Sequence, residues 1–427
     1  MKVLIASICV PGHLNPLLAA ASILKKHGHE VLVQTETSLK PLVEAAGFPF
    51  TPFLPEADSG LVQYLEKFPE RLNLTPGIEM VHFDMQNFFA THLPAQAEGL
   101  KTVLKDFPAD LILADSLFFG TLPMLLGPRE NRPVIAHLGI TVLNVCSGKN
   151  VPPRPGVSEE ELRLESEKRE QLLLNPVQKI FDTALAKAGS PPLPCPAMES
   201  MSILPDLYLH PGIRSFEYPD LSPSSSRVHY IGPLPLPPGQ AELPAWWSDL
   251  DPTKQVVLVT QGTVANRDFG QLVAPALTGL AEEENLVVLV TTGGQPFESI
   301  PASIPANARL AKFLPYQLVL PRVDLLITNG GYGTVNMALE HGIPIVSAGL
   351  TEDKEDVSAH VQWSDAGIDL RTNQATPESI RTAVNTVLTN LAYRKRAKKL
   401  ALEFANHDTE AELLNLVEAQ VYPLIEA

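Results

Sequence analysis

The chain has 427 residues, 45% of them apolar and only 19% charged, which fits buried cores and excludes a disordered polymer. Its 48 Asp and Glu outweigh 32 Lys and Arg, and a net charge of −16 argues against nucleic-acid backbones and anionic membranes as partners. The three cysteines, Cys9, Cys146 and Cys195, are too few and too scattered for a disulfide framework or a zinc site.

At roughly 150 residues per domain, the length predicts two or three domains. Lys2, the apolar run 3–10 and the alanines 19–21 imitate a secretory signal. Pro11-Gly12-His13 and Asn15-Pro16 break the run, where a signal's apolar stretch is continuous. A strand, a turn and a helix explain it better. No apolar run approaches the ~20 residues of a membrane span, so a cytoplasmic chain is expected.

Residues 3–10, 30–35, 111–114 and 134–137 are rich in Val, Ile and Leu and read as buried strands. Residues 14–27 carry helical spacing and end at Gly28, a C-terminal cap. Alternating strand and helix implies right-handed crossovers and a parallel sheet covered on both faces. A charged helical block is expected over 158–174, among Pro152, Pro153, Pro155, Pro191, Pro192, Pro194 and Pro196. Pro233, Pro235, Pro237 and Pro238 then mark a linker.

After it the alternation restarts. Strands are predicted at 256–260, 287–292, 325–328 and 343–347, and helices at 269–282, 334–341 and 379–391. Thr376-Pro377 supplies the N-cap and first position of the last helix. The expected domains are therefore 1–232 and 254–395, joined by the proline-rich linker 233–253 and followed by a helical tail, 396–427. Each half opens with a strand entering a small-residue loop, at 7–12 and at Gln261-Gly262-Thr263. Both would be doubly wound α/β domains facing a cleft. Such sheets bind ligands outside the carboxyl ends of their strands.

Thr328-Asn329-Gly330-Gly331-Tyr332-Gly333-Thr334 follows a strand and opens a helix. Backbone N–H groups and the positive helix end would converge there on an anion, with Thr334 adding a hydroxyl. The alternative is a tight turn without a ligand. The segment is neither a Gly-x-Gly-x-x-Gly nor a P-loop, which weakens dinucleotide and ATP readings. His13 follows strand one in a loop fixed by Pro11, Gly12 and Pro16, and Asp115 ends the strand 111–114. A carboxylate beside a His fixes its tautomer and suits it to general-base work, although a lone His is more often structural. Asp249-Leu250-Asp251 has a metal-holding spacing but reads as a solvated turn before the next strand. Glu352-Asp353-Lys354-Glu355-Asp356 is either a solvated loop or a reader of sugar hydroxyls.

At these residues the chain resembles the UDP-glycosyltransferase family, over nearly its whole length and in order. Pro11-Gly12-His13-Leu14-Asn15-Pro16 is similar to the family's catalytic-His loop, and Asp115 falls where the orienting Asp stands. The stretch from Phe313-Leu314-Pro315 through residues 329–334 to His341-Gly342-Ile343-Pro344 is similar to its donor signature. Glu352-Asp353-Lys354 falls at its Asp-Gln pair. The resemblance implies a GT-B fold of two Rossmann-like domains, with no metal and no cofactor beyond the nucleotide-sugar co-substrate. It implies Phe313 stacked on uracil, the Leu314 backbone at the ring's edge, and Gly331, Gly333 and Thr334 on the diphosphate. Asn329, Gly262 and Thr263 complete the donor set, and Asp353 with Glu352 or Lys354 meets the sugar. Phe83, Phe88, Phe89, Phe118, Phe119 and His137 are acceptor-lining candidates, each equally an ordinary core residue.

Three positions depart from the family pattern. Asn329 stands for His, Met337 for a ribose-binding Glu, and Lys354 for Gln. The expected activity is inverting transfer of a sugar, glucose by default, from a UDP-sugar to a hydroxyl of an apolar small molecule such as a phenolic or hydroxy-lipid. UDP- or dTDP-rhamnose is the alternative donor; an epimerase and a non-catalytic nucleotide-sugar or lipid binder are the alternative functions. The expected partners are that donor and acceptor, without nucleic acid or membrane insertion, in a monomer or weak dimer.

Overall fold

The computed structural model describes residues 1–143, 157–219, 227–235, 242–263 and 266–422. Cys146, Pro152, Pro153, Pro155, Pro237 and Pro238, singled out above, lie outside them. The chain divides into two compact units: Met1–Gly212 with Tyr218–Pro237 and His407–Ala427, and Ile213–Glu217 with Pro238–Asn406. Among the described residues no helix is long and apolar enough to cross a membrane.

The first unit is built on β1 (Lys2–Ala6), β2 (Glu30–Thr35), β3 (Phe50–Pro52), β4 (Leu111–Asp115), β5 (Val134–Leu138), β6 (Leu207–His210) and β7 (Val228–Tyr230). They form one parallel sheet in the order β3-β2-β1-β4-β5-β6-β7. Val3, Ile5, Leu111 and Leu113 pack on Leu14, Leu17 and Leu24 on one face. Leu4, Ala6, Ile112 and Ala114 pack with Phe53, Phe88 and Phe118 on the other. Burial on both faces is why these strands read as unbroken apolar runs. The strand order reverses between β1 and β4, the switch point of this sheet.

The helix after β1 is Pro11–Lys26, three residues longer at its start than its periodicity implies. Proline at the first position sacrifices no hydrogen bond, and the His13 and Leu14 N–H groups already donate to the Val10 carbonyl at 2.9 and 3.1 Å. His13 therefore sits in a helical turn, not in a loop. Gly28, at φ 83°, closes the helix: its N–H reaches the Lys25 carbonyl and the His29 N–H reaches that of Leu24.

The second unit holds β8 (Gln255–Thr260), β9 (Leu286–Thr291), β10 (Ala308–Ala311), β11 (Leu325–Thr328), β12 (Ile345–Ser347) and β13 (Gly367–Asp369). The parallel order β10-β9-β8-β11-β12-β13 reverses between β8 and β11. Two expectations fared differently here. Thr376 caps the helix Pro377–Thr389 in a reciprocal pair with Ser379, as its residue type predicts. The helix expected over 269–282 is only Val273–Gly279. The Asp268 carboxylate takes the Gly270 N–H at 2.8 Å in a tight turn, and Gln261 Oε1 receives the Val273 N–H at 3.2 Å, so the helix starts late. Beyond the linker, the helix Leu391–Phe404 lies in the second unit and Thr409–Val421 in the first, where Leu413 and Val417 join the β-sheet core.

Candidate active site

Each sheet presents polar groups at its own switch point. In the first unit β1 and β4 are neighbours, so Asp115 at the end of β4 emerges beside the helix that follows β1. His13 Nδ1 lies 3.1 Å from Asp115 Oδ2. Asp115 is fully buried, whereas the His13 side chain keeps 18% of its surface open. The same carboxylate accepts the Ile8 N–H at 3.3 Å and the Leu117 N–H at 2.7 Å. Three donors thus converge on one buried carboxyl and hold it in place. With Nδ1–H donating to it, the imidazole lone pair resides on Nε2, the tautomer a general base requires.

In the second unit the equivalent turns belong to β8 and β11. Asn329 Nδ2 donates to the Gln261 carbonyl at 2.9 Å, tying the two turns across the switch point. The helix Tyr332–Glu340 begins at Gly331 with no side-chain cap. Its first-turn N–H groups have no intrahelical acceptors, which, with the helix dipole, makes this end an anion receptor. Gly333 is exposed and Thr334 half-buried, so both border solvent. Gly262 has φ 70°, and Thr263 beside it is exposed.

Phe313 follows β10 and is 55% exposed, although Leu314 is buried. An exposed aromatic ring at a strand's carboxyl end is suited to stacking on a flat base. Gly294 leaves room for that ring: a Cβ there would lie 3.0 Å from Phe313 Cζ. Glu352, Asp353 and Lys354 follow β12, next to β11 in the sheet. Lys354 is buried and its ammonium pairs with Glu352, whose backbone sits at φ 52°. Asp251 accepts both the backbone N–H and the hydroxyl of Thr253, at 2.9 and 2.6 Å, in the turn expected of it.

The acceptor-lining candidates occupy different depths. Phe118, Phe119 and His137 are buried completely or nearly so, Phe88 is buried, and Phe83 and Phe89 are half-buried. Edge-on ring contacts link Phe88 to Tyr64 and Phe89, and Phe89 to Phe119, at centroid distances of 5.1 to 5.7 Å. His137 donates from Nδ1 to the Met201 carbonyl at 2.7 Å and meets the Thr121 hydroxyl through Nε2 at 3.0 Å. Burial drives its pKa down to about 4, so the ring is neutral at pH 7. The unfolded chain, with an ordinary His pKa near 6.5, binds that proton first as pH falls. Stability is thus complete above pH 6.5 and declines toward pH 4, by about 3 kcal/mol from this group alone. Melting curves over that range should fall less steeply for His137→Asn than for the parent; parallel curves would contradict the shift.

The structure also reveals a repeated pattern at the strand ends of the second unit that the sequence alone did not bring out. Leu258-Val259-Thr260-Gln261-Gly262, Leu289-Val290-Thr291-Thr292-Gly293, Leu326-Ile327-Thr328-Asn329-Gly330 and Ile345-Val346-Ser347-Ala348-Gly349 are four versions of one pattern. They end β8, β9, β11 and β12. The register aligns Thr291, Thr260, Thr328 and Ser347 in one row, above a second row of Leu289, Leu258, Leu326 and Ile345 on the same face. The glycines let neighbouring turns touch: a Cβ at Gly349 would lie 2.1 Å from the Asn329 carbonyl oxygen, and one at Gly293 2.3 Å from that of Gly262.

Two doubly wound sheets, each with its polar groups at a switch point, define the GT-B class of sugar transferase. The solved calicheamicin glycosyltransferase CalG4 shares this fold, with a TM-score of 0.74, 20% identity and 99% of each chain covered. Residues 279–419 match the sequence model of the erythromycin biosynthesis protein CIII-like C-terminal domain. The chain is 36% identical to 4'-demethylrebeccamycin synthase of Lentzea aerocolonigenes, over 98% of its own length and 99% of the relative's. It is 31% identical to UDP-glucosyltransferase B1 of Starmerella bombicola, over 99% and 98%. The chain belongs to the UDP-glycosyltransferase family. It is an enzyme that moves a sugar from a nucleotide-sugar to a small-molecule acceptor.

Proposed function

We propose that the enzyme transfers glucose from UDP-glucose to a hydroxyl of an apolar small molecule, phenolic or hydroxy-lipid, inverting the anomeric carbon. The observation that carries the chemistry is the His13–Asp115 pair, 3.1 Å apart, with the carboxylate buried and the imidazole partly open. His13 Nε2 takes the acceptor's O–H proton as that oxygen attacks the anomeric carbon. The bond from that carbon to the diphosphate oxygen breaks, and its electron pair leaves with UDP. A single in-line displacement inverts the centre. Asp115 stabilises the imidazolium that forms.

In the second unit the N–H groups of Gly331, Gly333 and Thr334 receive the growing negative charge on the diphosphate. Asn329 holds its turn through Gln261 and leaves the phosphate contact to those groups. Phe313 stacks on uracil and the Leu314 backbone meets the ring's edge. Gly262 and Thr263 border the nucleotide. Glu352 and Asp353 accept hydrogen bonds from sugar hydroxyls, and Lys354, neutralised by Glu352, donates one. Phe83 and Phe89, both half-buried, are the more open of the proposed acceptor-lining rings. The name of the Starmerella relative, similar from end to end, supports glucose as the sugar.

A panel of UDP- and dTDP-sugars against mixed phenols and hydroxy-lipids, read by mass spectrometry, tests the donor and acceptor together. UDP-glucose should give a mono-hexosylated product with the highest turnover. Turnover with dTDP-rhamnose alone would reassign the donor, and UDP release without any acceptor would favour epimerisation. In the same preparation Phe313→Ala should weaken UDP binding by roughly 1–3 kcal/mol, the scale of a base stacked on an aromatic ring. Calorimetry showing unchanged affinity would remove Phe313 from the site.

A further inference from the structure

The four hydroxyls that end β8, β9, β11 and β12 are equally buried, at 0–4% exposure, but they are not equally connected. Thr260 Oγ1 accepts the Gly262 N–H at 3.1 Å, and Thr328 Oγ1 accepts the Gly330 N–H at 3.3 Å. Thr291 Oγ1 meets the Tyr316 hydroxyl at 3.3 Å, a hydroxyl that Thr260 also contacts, and holds no turn N–H. Ser347 Oγ has no hydrogen-bond partner among the described residues. The two wired hydroxyls are those of the strands flanking the switch point, and Asn329 Nδ2 links the turns they hold.

We infer that Thr260 and Thr328 are positioning residues for the nucleotide-sugar, an inference that rests on the donor-site reading above. Gly262 and Gly330 sit at φ 70° and 89°, where the chain has few intrinsic preferences of its own. A hydroxyl two residues earlier pins each turn by a local side-chain-to-backbone bond. Pinning Gly330 fixes where Gly331 stands and hence where the uncapped helix Tyr332–Glu340 begins. The hydroxyl thus sets the location of the N–H groups without touching the ligand. A binding effect is expected, with little effect on the bond-breaking step.

Thr328→Val and Thr260→Val keep the side-chain shape and delete the acceptor. Each should raise the Kd for UDP and the KM for the donor by about tenfold, the scale of one lost buried hydrogen bond. Turnover at saturating donor should stay within about twofold, the signature of lost uniform binding. Thr328→Ser and Thr260→Ser should restore both constants. Ser347→Ala and Thr291→Val, in the same row without a bond to a turn, should leave donor KM unchanged. The inference is overturned if Ser347→Ala raises KM as much as Thr328→Val, or if the serine variants fail to restore it. A parent enzyme that binds UDP while Thr328→Val binds it equally well overturns this inference alone. A parent that binds no UDP overturns the donor-site reading and this inference with it.

Discussion

His13→Ala is expected to lower turnover by roughly 10²–10⁴-fold, the usual contribution of a positioned proton acceptor. UDP affinity should be unchanged, because the nucleotide contacts proposed here all come from the second unit. The fold should also survive. His13 occupies the first turn of a 16-residue helix whose core face is carried by Leu14, Leu17, Leu18, Ile23 and Leu24, and its own side chain is partly open. Truncation leaves Asp115 with its Ile8 and Leu117 N–H donors, so the buried carboxylate keeps two of its three partners. Turnover measured beside a melting curve separates the two roles. A structural histidine would lower the melting temperature and leave chemistry intact in whatever remained folded.

Asp115→Asn should cost a similar 10²–10⁴-fold in turnover, and for a reason visible in the hydrogen bonds. The carboxylate accepts at both oxygens: Oδ2 from His13 Nδ1–H and Ile8 N–H, Oδ1 from Leu117 N–H. An amide has one acceptor oxygen. If its NH₂ replaces Oδ2, it donates to His13 Nδ1, which drives the ring proton to Nε2 and removes the base. It then also faces the Ile8 N–H, a donor against a donor. If the amide flips, the Leu117 N–H loses its partner instead. In either orientation a backbone N–H is stranded in the core, at roughly 1–3 kcal/mol of stability. The variant should therefore lose both turnover and a few degrees of melting temperature, whereas His13→Ala loses turnover alone. Equal melting temperatures for parent and Asp115→Asn would contradict the network as described.

The architecture was legible because these strands are buried on both faces. Residues 30–35 and 325–328 coincide with β2 and β11 to the residue. The run 3–10 overshot β1 because Ile8 and Cys9 are apolar and buried without being strand. The Ile8 N–H goes to Asp115, a partner 107 residues away that no local pattern announces. Asp115 itself was legible, as a charged residue directly after an apolar strand. His137 shows the limit of that logic. Its position in an apolar strand gave no sign that Met201 and Thr121 would enclose both ring nitrogens. The hydroxyl row was present in the sequence as a repeated Leu-Val-Thr-x-Gly pattern, but the copies are unequally spaced and only the sheet register aligns them.

The most direct test of His13 as the base compares acceptors that differ only in how readily they lose their proton. Turnover of parent and His13→Ala is measured on a neutral phenol and on a nitrophenol at a pH where it is largely ionised. An ionised acceptor has no proton to remove, so the deficit of His13→Ala should shrink by at least tenfold on the nitrophenolate relative to the neutral phenol. An equal deficit on both acceptors, in a variant that folds and binds UDP normally, would contradict the general-base assignment.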